Sequence, residues 1–171
     1  MLSAGDLKDS LNKGKKALES YFEAYNGKWQ RSLLTEYSIR GVHLPVGDFN
    51  LLLKGQLDKL EFLNEKEVNV VDYKTGKKRS ANKENYHRQL VFYKLLLDLD
   101  EKKKYIMKSG ELDFIESCVK EKVEINKKEV EEFKLLLKEK ALEIYNLDFW
   151  SKNCEEKDCE YCKLSKSLTN T

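Results

Sequence analysis

The sequence contains few of the features that would divide a chain or send it to a special compartment. Its 171 residues include one proline and eight glycines, so no Pro- or Gly-rich linker separates domains. It has no apolar run of about 18 residues, the length that a membrane helix needs, and residues 1–16 lack the apolar core of a secretory signal. These absences predict one domain over residues 1–171, located in the cytoplasm, with no membrane partner.

Net charge is also nearly absent. Lys+Arg number 32 against 30 Asp+Glu, a formal charge of +2, so bulk charge does not single out nucleic acid, a membrane surface or an acidic substrate. Charged residues make up 36% of the chain, yet apolar and aromatic residues recur throughout, which favours a folded domain with solvated faces over disorder. Any electrostatic argument for a partner must therefore be local.

Hydrophobic periodicity predicts a mixture of helices and strands. Asn126 with Glu129 three residues later is a capping box for the third helix, whose expected core side carries Val130, Phe133, Leu137, Leu142 and Ile144. We expect helices over 6–26, 84–99 and 126–146, strands within 33–75 and over 103–108 and 112–119, and a cysteine-containing tail over 149–171. This order predicts an α/β (α+β-like) domain with a central mixed β-sheet flanked by helices.

Charged residues follow an apolar stripe in the hairpin predicted near residues 56–74. Its side-chain pattern sets the strand register, because a slip by one residue would turn the apolar set to the wrong face. The apolar pairs in this register are Phe62 with Val68 and Leu60 with Val70. The next pair on the same face is Asp58 with Asp72, and Lys74 lies one step beyond. The pattern predicts two carboxylates opposite each other at the end of a buried face.

Two like charges in directly opposed positions are destabilising, because their Cβ atoms lie only about 4.5–5.5 Å apart. A divalent cation offsets such a repulsion, and Mg²⁺ prefers carboxylate oxygens, water and phosphate oxygens as ligands. Lys74 would then position or activate a water, or stabilise charge on a phosphate. The alternative is that Asp58, Asp72 and Lys74 are solvated strand-end residues without a catalytic role.

Three ordered motifs carry a resemblance to a known family: GQLDKLEF at 55–62, VNVVDYKTGK at 68–77 and QLVFY at 89–93. Together they resemble the RecB-like branch of the PD-(D/E)xK nucleases, found at the C-terminus of UvrD-type and AddAB-type helicase-nucleases. The resemblance extends from about Glu36 to Cys162. It implies a restriction-endonuclease-like core and a metal-dependent DNA nuclease that uses Mg²⁺ or Mn²⁺. It also implies a covalently linked or associated helicase as partner, in DNA end processing, recombination or repair.

The resemblance implies roles for individual residues around the hairpin. Asp58 and Asp72 correspond to the metal-binding carboxylates, the Tyr73 main-chain carbonyl to a further ligand, and Lys74 to the catalytic lysine. Glu36 resembles the glutamate that often precedes the first motif, which makes it a candidate metal ligand; a solvent-facing strand residue is the alternative.

The third motif and the residues before it are implied to bind DNA. Gln89 and Tyr93 match the family's Gln and Tyr beside the site, and their spacing of four puts them on one helix face. Core packing is the alternative for Tyr93. A local excess of positive charge follows the hairpin, as expected for sequence-independent phosphate contacts. The basic residues proposed for these contacts are Lys77, Lys78, Arg79, Lys83 and Arg88.

The chain departs from the family pattern in its histidines. Many members deliver a metal-binding histidine from an upstream helix, whereas here His43 and His87 are the only histidines and neither lies in the first predicted helix. This favours a fragment of a longer helicase-nuclease. It also leaves two alternatives open: a catalytically inactive DNA-binding module of the same fold, or a stand-alone CRISPR-associated or phage-type exonuclease.

The cysteines depart from the pattern as well. Members with a 4Fe–4S cluster combine one upstream cysteine with three near the C-terminus. Here Cys154, Cys159 and Cys162 form the C-terminal group, and the only other cysteine is Cys118, in the predicted strand 112–119. The spacing is a candidate signal for an Fe–S cluster or zinc. Because no fourth ligand is identified, we expect a metal-free remnant of the cluster motif.

Overall fold

A computed structural model describes residues 3–30, 32–76, 82–102, 105–148 and 158–163. These residues form three long helices and five strands. In chain order the elements are α1 (Ala4–Tyr25), β1 (Leu33–Val46), β2 (Phe49–Phe62), β3 (Glu67–Lys74), α2 (Lys83–Leu99), β4 (Ile106–Phe114), β5 (Val119–Val123) and α3 (Lys127–Tyr145). The capping box predicted at Asn126 and Glu129 is present at the start of α3.

The five strands form one mixed sheet in the order β1-β2-β3-β4-β5. Only the β3–β4 pair is parallel, while its neighbours pair antiparallel. A parallel pair needs a crossover connection, and α2 supplies it. Helix α2 packs against β1 to β4, and α3 packs against α2 and β1. The predicted central mixed sheet flanked by helices is therefore confirmed. None of the described helices combines the length and the apolar character that a bilayer span requires.

The hydrophobic core lies between α2 and the sheet. Gly55 of β2 and Gly110 of β4 face α2, since a Cβ at Gly55 would overlap Leu96 and a Cβ at Gly110 would come within 3.0 Å of Leu90. Both leucines are fully buried. The two glycines thus allow the helix to approach the strands closely, and α2 becomes the rigid support of everything on this side of the sheet.

The predicted hairpin register is confirmed for the apolar residues. The observed pairs are Phe62 with Val68, Leu60 with Val70, Glu61 with Asn69 and Lys59 with Val71. This ladder ends at Lys59 and Val71, so Asp58 and Asp72 lie one step beyond the last paired residues. The two carboxylates are consequently at the end of the hairpin ladder, where main-chain pairing no longer holds the two strands together.

The predicted strands 103–108 and 112–119 are confirmed only in part. One continuous strand, β4, includes 106–108 and 112–114, and β5 begins at Val119; residues 103 and 104 lie outside the described residues. Ser109 and Gly110 resemble a turn signal, but Gly110 sits within β4 because its missing side chain makes room for α2. Cys118, predicted in a strand, lies in the turn between β4 and β5 with a positive φ of 54°.

Helix α3 buries less of its apolar face than predicted. Val130, Phe133 and Leu137 contact the core, whereas Leu142 and Ile144 are 40% and 64% exposed. The prediction assumed that the whole helix lies over the core. In the structure the core contacts of α3 extend from Val130 to Leu137 and Ala141 is also buried, whereas the side chains of Leu142 and Ile144 are turned toward solvent.

Candidate active site

Two carboxylates lie just beyond the end of the β2–β3 ladder: Asp58 within β2 and Asp72 near the end of β3. Val68, Val70 and Asp72 alternate with residues of the opposite face, so Asp72 continues the buried side of β3. The Asp72 side chain is almost fully buried, with 2% exposure. Asp58 is half-buried, and its Oδ2 accepts a hydrogen bond from the Tyr73 main-chain N–H at 2.8 Å. Asp58 therefore reaches across to the main chain beside Asp72.

An interruption in the alternation of β2 accompanies this arrangement. Leu57 and Leu60 both belong to the core, although residues three apart on a regular strand face opposite sides. The alternation of faces along β2 is interrupted at Asp58 and Lys59. On the neighbouring strand β1, Glu36 has a positive φ of 52°, which is rare for a residue with a side chain. Both strands therefore depart from regular geometry at the same level of the sheet.

Glu36 is at the level of Asp58 in the β1–β2 pair. The observed pairs on either side are Thr35 with Lys59 and Tyr37 with Leu57. The Glu36 side chain is exposed, and its carboxylate accepts a hydrogen bond from Gln56 Nε2. The register thus brings Glu36 beside Asp58, on the β1 side of the β2–β3 hairpin.

Four side chains form a closed polar cluster around Asp72. Lys74 Nζ lies 2.5 Å from Asp72 Oδ2 and donates a hydrogen bond to Gln89 Oε1 at 2.7 Å. Gln89 Nε2 donates to the Tyr93 hydroxyl at 2.7 Å, and that hydroxyl donates to Asp72 Oδ1 at 3.4 Å. We call these residues the Asp72–Lys74 cluster. It joins the end of β3 to one face of α2.

Burial and the neighbouring Lys74 charge shift the pKa of Asp72 in opposite directions. Burial raises the pKa of its carboxyl, the Lys74 ammonium lowers it, and the nearby Asp58 raises it again, so that the net shift is upward. Asp72 Oδ2 has no hydrogen-bond donor in suitable geometry among the described residues, because the close Lys74 ammonium is poorly aligned with it. Burial also raises the pKa of Tyr93 to about 12, which keeps its hydroxyl protonated as a donor.

Tyr86 is a member of the site that the sequence analysis missed. Its ring centroid lies 4.5 Å from Lys74 Nζ, and its hydroxyl accepts a hydrogen bond from Asn82 Nδ2 at 3.2 Å. A cation over an aromatic face is attracted by the ring. The signal was available in the helical spacing, since Tyr86, Gln89 and Tyr93 are three and four residues apart on one face of α2.

The oxygen atoms at this site fit a hard divalent cation. Asp72 Oδ2 is buried without an aligned donor, and Mg²⁺ takes carboxylate oxygens readily while keeping several waters. The described residues contain no group of three or more His, Cys, Asp or Glu side chains arranged for a metal. A cation here would therefore be held by Asp58 and Asp72, with the Tyr73 carbonyl, water and substrate oxygens completing its coordination.

The basic residues predicted to contact DNA do not lie in the Asp72–Lys74 cluster where the structure describes them. Lys83 lies 3.9 Å from Glu121, and Arg88 pairs with Glu84 at 2.8 Å on the exposed side of α2. Neither contacts the Asp72–Lys74 cluster. The remaining members of the group, Lys77, Lys78 and Arg79, lie outside the described residues.

Neither histidine lies in the Asp72–Lys74 cluster. His43 is an exposed residue of β1. The Nε2 atom of His87 lies 2.8 Å from Glu129 Oε1, which connects α2 to the start of α3.

The cysteines are not assembled into a ligand set in the described part of the chain. Cys118 Sγ donates to the main-chain oxygen of Ile115 at 3.8 Å. Cys159 and Cys162 lie in the segment 158–163, and no group of three metal-ligating residues includes them. Cys154 lies outside the described residues.

The α+β domain thus carries one acidic residue within β2, a second near the end of β3 and a lysine two positions after the second. The sequence profile of the PD-(D/E)XK nuclease superfamily matches residues 3–167. The chain therefore belongs to the PD-(D/E)XK nuclease superfamily.

Two solved structures share the fold. The crystal structure of SSO0001 has a TM-score of 0.50 and 16% identity, with 84% of this chain and 61% of that one covered. A proposed exonuclease from Eubacterium rectale has a TM-score of 0.53 and 11% identity, with 88% and 59% covered. The chain thus spans about three fifths of the length of both structures. A search of curated proteins found no significant match.

Proposed function

We propose that this domain is a Mg²⁺- or Mn²⁺-dependent deoxyribonuclease that hydrolyses phosphodiester bonds. The observation that carries the proposal is the Asp72–Lys74 cluster beside Asp58, in a chain that belongs to a nuclease superfamily. Asp72 is buried and Asp58 reaches the main chain beside it, which supports metal binding, because a divalent cation takes carboxylate oxygens and would offset the repulsion between the two groups.

Each residue has a distinct task in this proposal. When bound, a divalent ion would polarise the phosphate and make a water more acidic. Lys74 would direct its ammonium at the attacking water or at the charge that develops on the phosphate. Gln89 and Asp72 hold that ammonium at 2.7 Å and 2.5 Å, so that its orientation is set before the substrate binds.

DNA is the proposed substrate, and a helicase the proposed partner. Lys83 is largely exposed and Arg88 is half exposed, so both can reach phosphates in a sequence-independent way; Lys77, Lys78 and Arg79 would add to this surface. The RecB-like order of the three motifs supports a role in DNA end processing, recombination or repair. The likeness to a proposed exonuclease supports attack at DNA ends, in a helicase-linked or a stand-alone protein.

A catalytically inactive DNA-binding module is the second candidate. It is favoured by the contacts of Lys74, which already has Asp72 and Gln89 as partners, and by the lack of a three-residue metal group among the described residues. In this version the cluster would stabilise the end of β3, and the basic residues would bind DNA without cleavage.

The test combines cleavage with metal binding. Labelled single-stranded and duplex DNA are incubated with wild type, Asp72→Asn and Lys74→Ala, in Mn²⁺, Mg²⁺ or EDTA. We expect metal-dependent products from wild type and a loss of about 100-fold or more in both variants. Mn²⁺ binding, measured by electron paramagnetic resonance, should weaken in Asp72→Asn and persist in Lys74→Ala.

Asp98→Asn and Lys138→Ala provide matched controls. Asp98 is on α2 and pairs with Lys94 at 3.6 Å, and Lys138 is on α3, so neither belongs to the Asp72–Lys74 cluster. Both should cleave like wild type. If wild type binds DNA but yields no metal-dependent products, the nuclease proposal is wrong and the binding module takes its place.

A further inference from the structure

The face of the sheet opposite α2 carries an unusual set of polar side chains. Leu60, Val70 and Gly110 face α2, so their strand neighbours face the other side, toward α1. These neighbours come from three adjacent strands: Lys59 and Glu61 on β2, Asn69 on β3, and Ser109 and Glu111 on β4. A continuous polar floor therefore lies behind the apolar core.

The floor is buried, not solvated. Lys59 is 5% exposed, and Asn69 and Glu111 are 7% exposed. Lys59 Nζ lies 2.9 Å from Glu61 Oε1, Asn69 Nδ2 donates to Glu61 Oε2 at 3.2 Å, and Ser109 Oγ donates to Asn69 Oδ1 at 2.8 Å. The desolvation cost of a buried ion pair such as Lys59–Glu61 can exceed the attraction between its charges. An apolar floor would be less costly, so these side chains suit a polar ligand.

A pocket of about 350 Å³ lies above this floor. We call it the α1-side pocket; its walls include Tyr25 at the end of α1, Trp29 and Gln30. Trp29 packs on Tyr25 with a ring separation of 6.2 Å, and 44% of its surface is exposed. The volume is in the range of small-ligand sites, about 300–1,000 Å³. The pocket thus offers an accessible aromatic surface beside hydrogen-bonding groups.

The charge of the pocket favours an anion. Four of the lining residues are lysines and two are glutamates. Lys59 is paired with Glu61, and Lys120 with Glu111 at 3.1 Å. The other two lysines, Lys28 and Lys122, have no carboxylate within ion-pair distance among the described residues. Lys28 Nζ donates one hydrogen bond to the Ala24 main-chain oxygen at 3.0 Å, and an ammonium has three donors, so both lysines keep donors for an anionic group of the ligand.

We propose that the α1-side pocket binds a nucleotide unit. The base stacks on Trp29 and the phosphate is held by Lys28 and Lys122. The Gln30 Nε2 already donates to the Phe62 main-chain oxygen at 3.2 Å, so its Oε1 accepts a hydrogen bond from the base edge. Base stacking on aromatic side chains and lysine contacts to phosphate are the usual means of binding single-stranded nucleic acid. The ligand is either a free nucleoside monophosphate or one nucleotide of a strand. The pocket is on the opposite face from the Asp72–Lys74 cluster, so its occupancy does not depend on the proposed cleavage.

Site-resolved titration tests the proposal. ¹⁵N-labelled protein in EDTA is titrated with dAMP, dTMP, a ten-nucleotide dT oligomer or inorganic phosphate. We expect saturable shifts at the amides of Asn69, Ser109 and Lys122 and at the Trp29 indole. Inorganic phosphate should bind at least tenfold more weakly. If the oligomer shifts the same signals at lower concentration than dTMP, the ligand is a strand; if only the mononucleotides do, it is a free nucleotide.

Variants of the pocket rim complete the experiment. The double variant Lys28→Glu/Lys122→Glu should weaken dAMP binding at least tenfold, and Trp29→Ala should weaken dAMP but not inorganic phosphate. Lys138→Glu on α3 reverses one lysine charge on the other side of the molecule and should have no effect. Retained amide dispersion shows that each variant is folded. Absent or non-saturable shifts at these signals, equal binding of phosphate and dAMP, or a folded Trp29→Ala that binds dAMP normally would each overturn the proposal.

Discussion

Lys74 Nζ lies 2.5 Å from Asp72 Oδ2, and the two residues project from the same face of β3. This pair explains how a buried carboxylate is tolerated next to Asp58, since the ammonium opposes the effects of burial and of the second acidic group on the Asp72 pKa. Breaking such a pair by removing one partner leaves an uncompensated charge. The lysine is therefore held in place by the same residue that we propose as a metal ligand.

Gln89→Leu should impair cleavage without unfolding the domain. The substitution removes the acceptor of Lys74 and the donor to Tyr93, so the ammonium can leave its position. A misplacement of about 1 Å costs a reaction on the order of 100-fold, and we expect single-turnover cleavage to fall about 10- to 100-fold.

DNA binding in EDTA should change little in Gln89→Leu, because the effect is on the reacting groups. Asn85→Leu, on an exposed position of α2, is the matched control and should cleave like wild type. Wild-type cleavage by Gln89→Leu would show that Lys74 does not need this anchor.

The parts of the fold that could be predicted are those with a local period. Alternation in the hairpin gave the correct pairing of Leu60 with Val70, and the spacing of four put Gln89 and Tyr93 in contact. The β4 boundary failed because Gly110 looks like a turn residue in sequence, while its function in the fold is to admit Leu90. A close approach between distant elements leaves no periodic signal.

The site could be predicted where the hairpin register or one of the three motifs connected its residues. Tyr86 shares a helix face with Gln89 and Tyr93, but its contact with Lys74 depends also on how α2 lies over β3. The α1-side pocket escaped for a similar reason: its floor combines three strands, and its wall comes from Trp29, near the other end of the chain. Such sites arise from the packing of several elements, which alternation along one segment does not encode.

Tyr86 should contribute to catalysis through its ring. Tyr86→Leu removes the aromatic face 4.5 Å from Lys74 Nζ, an interaction worth about 0.5–2 kcal/mol. We expect initial cleavage rates to fall between about 2- and 30-fold. Tyr86→Phe keeps the face and loses only the Asn82 hydrogen bond, so it should stay close to wild type. Equal losses in the two variants would assign the effect to the hydroxyl instead.

Two glycine substitutions should have opposite effects on stability. In Gly55→Ala the new Cβ overlaps Leu96, and overpacking of this kind costs about 1–3 kcal/mol. In Gly14→Ala the new Cβ meets open space inside α1, where alanine is favoured over glycine by about 0.5–1 kcal/mol. Urea unfolding of both variants measures the difference. A neutral Gly55→Ala would show that α2 does not lie this close to β2.

Tyr21→Phe should destabilise the attachment of α1 to the sheet. The Tyr21 hydroxyl donates a hydrogen bond to Asp113, which is fully buried. The Lys120 ammonium lies 3.1 Å from Oδ2 of the same carboxylate. Because removing one hydrogen bond from a buried charged group costs about 1–3 kcal/mol, we expect the free energy of unfolding in urea to fall by about this amount. Tyr161→Phe, at an exposed position, should change it by less than about 0.5 kcal/mol. If Tyr21→Phe is as stable as its control, the contact does not hold α1 in place, and the wall of the α1-side pocket must be supported by other residues.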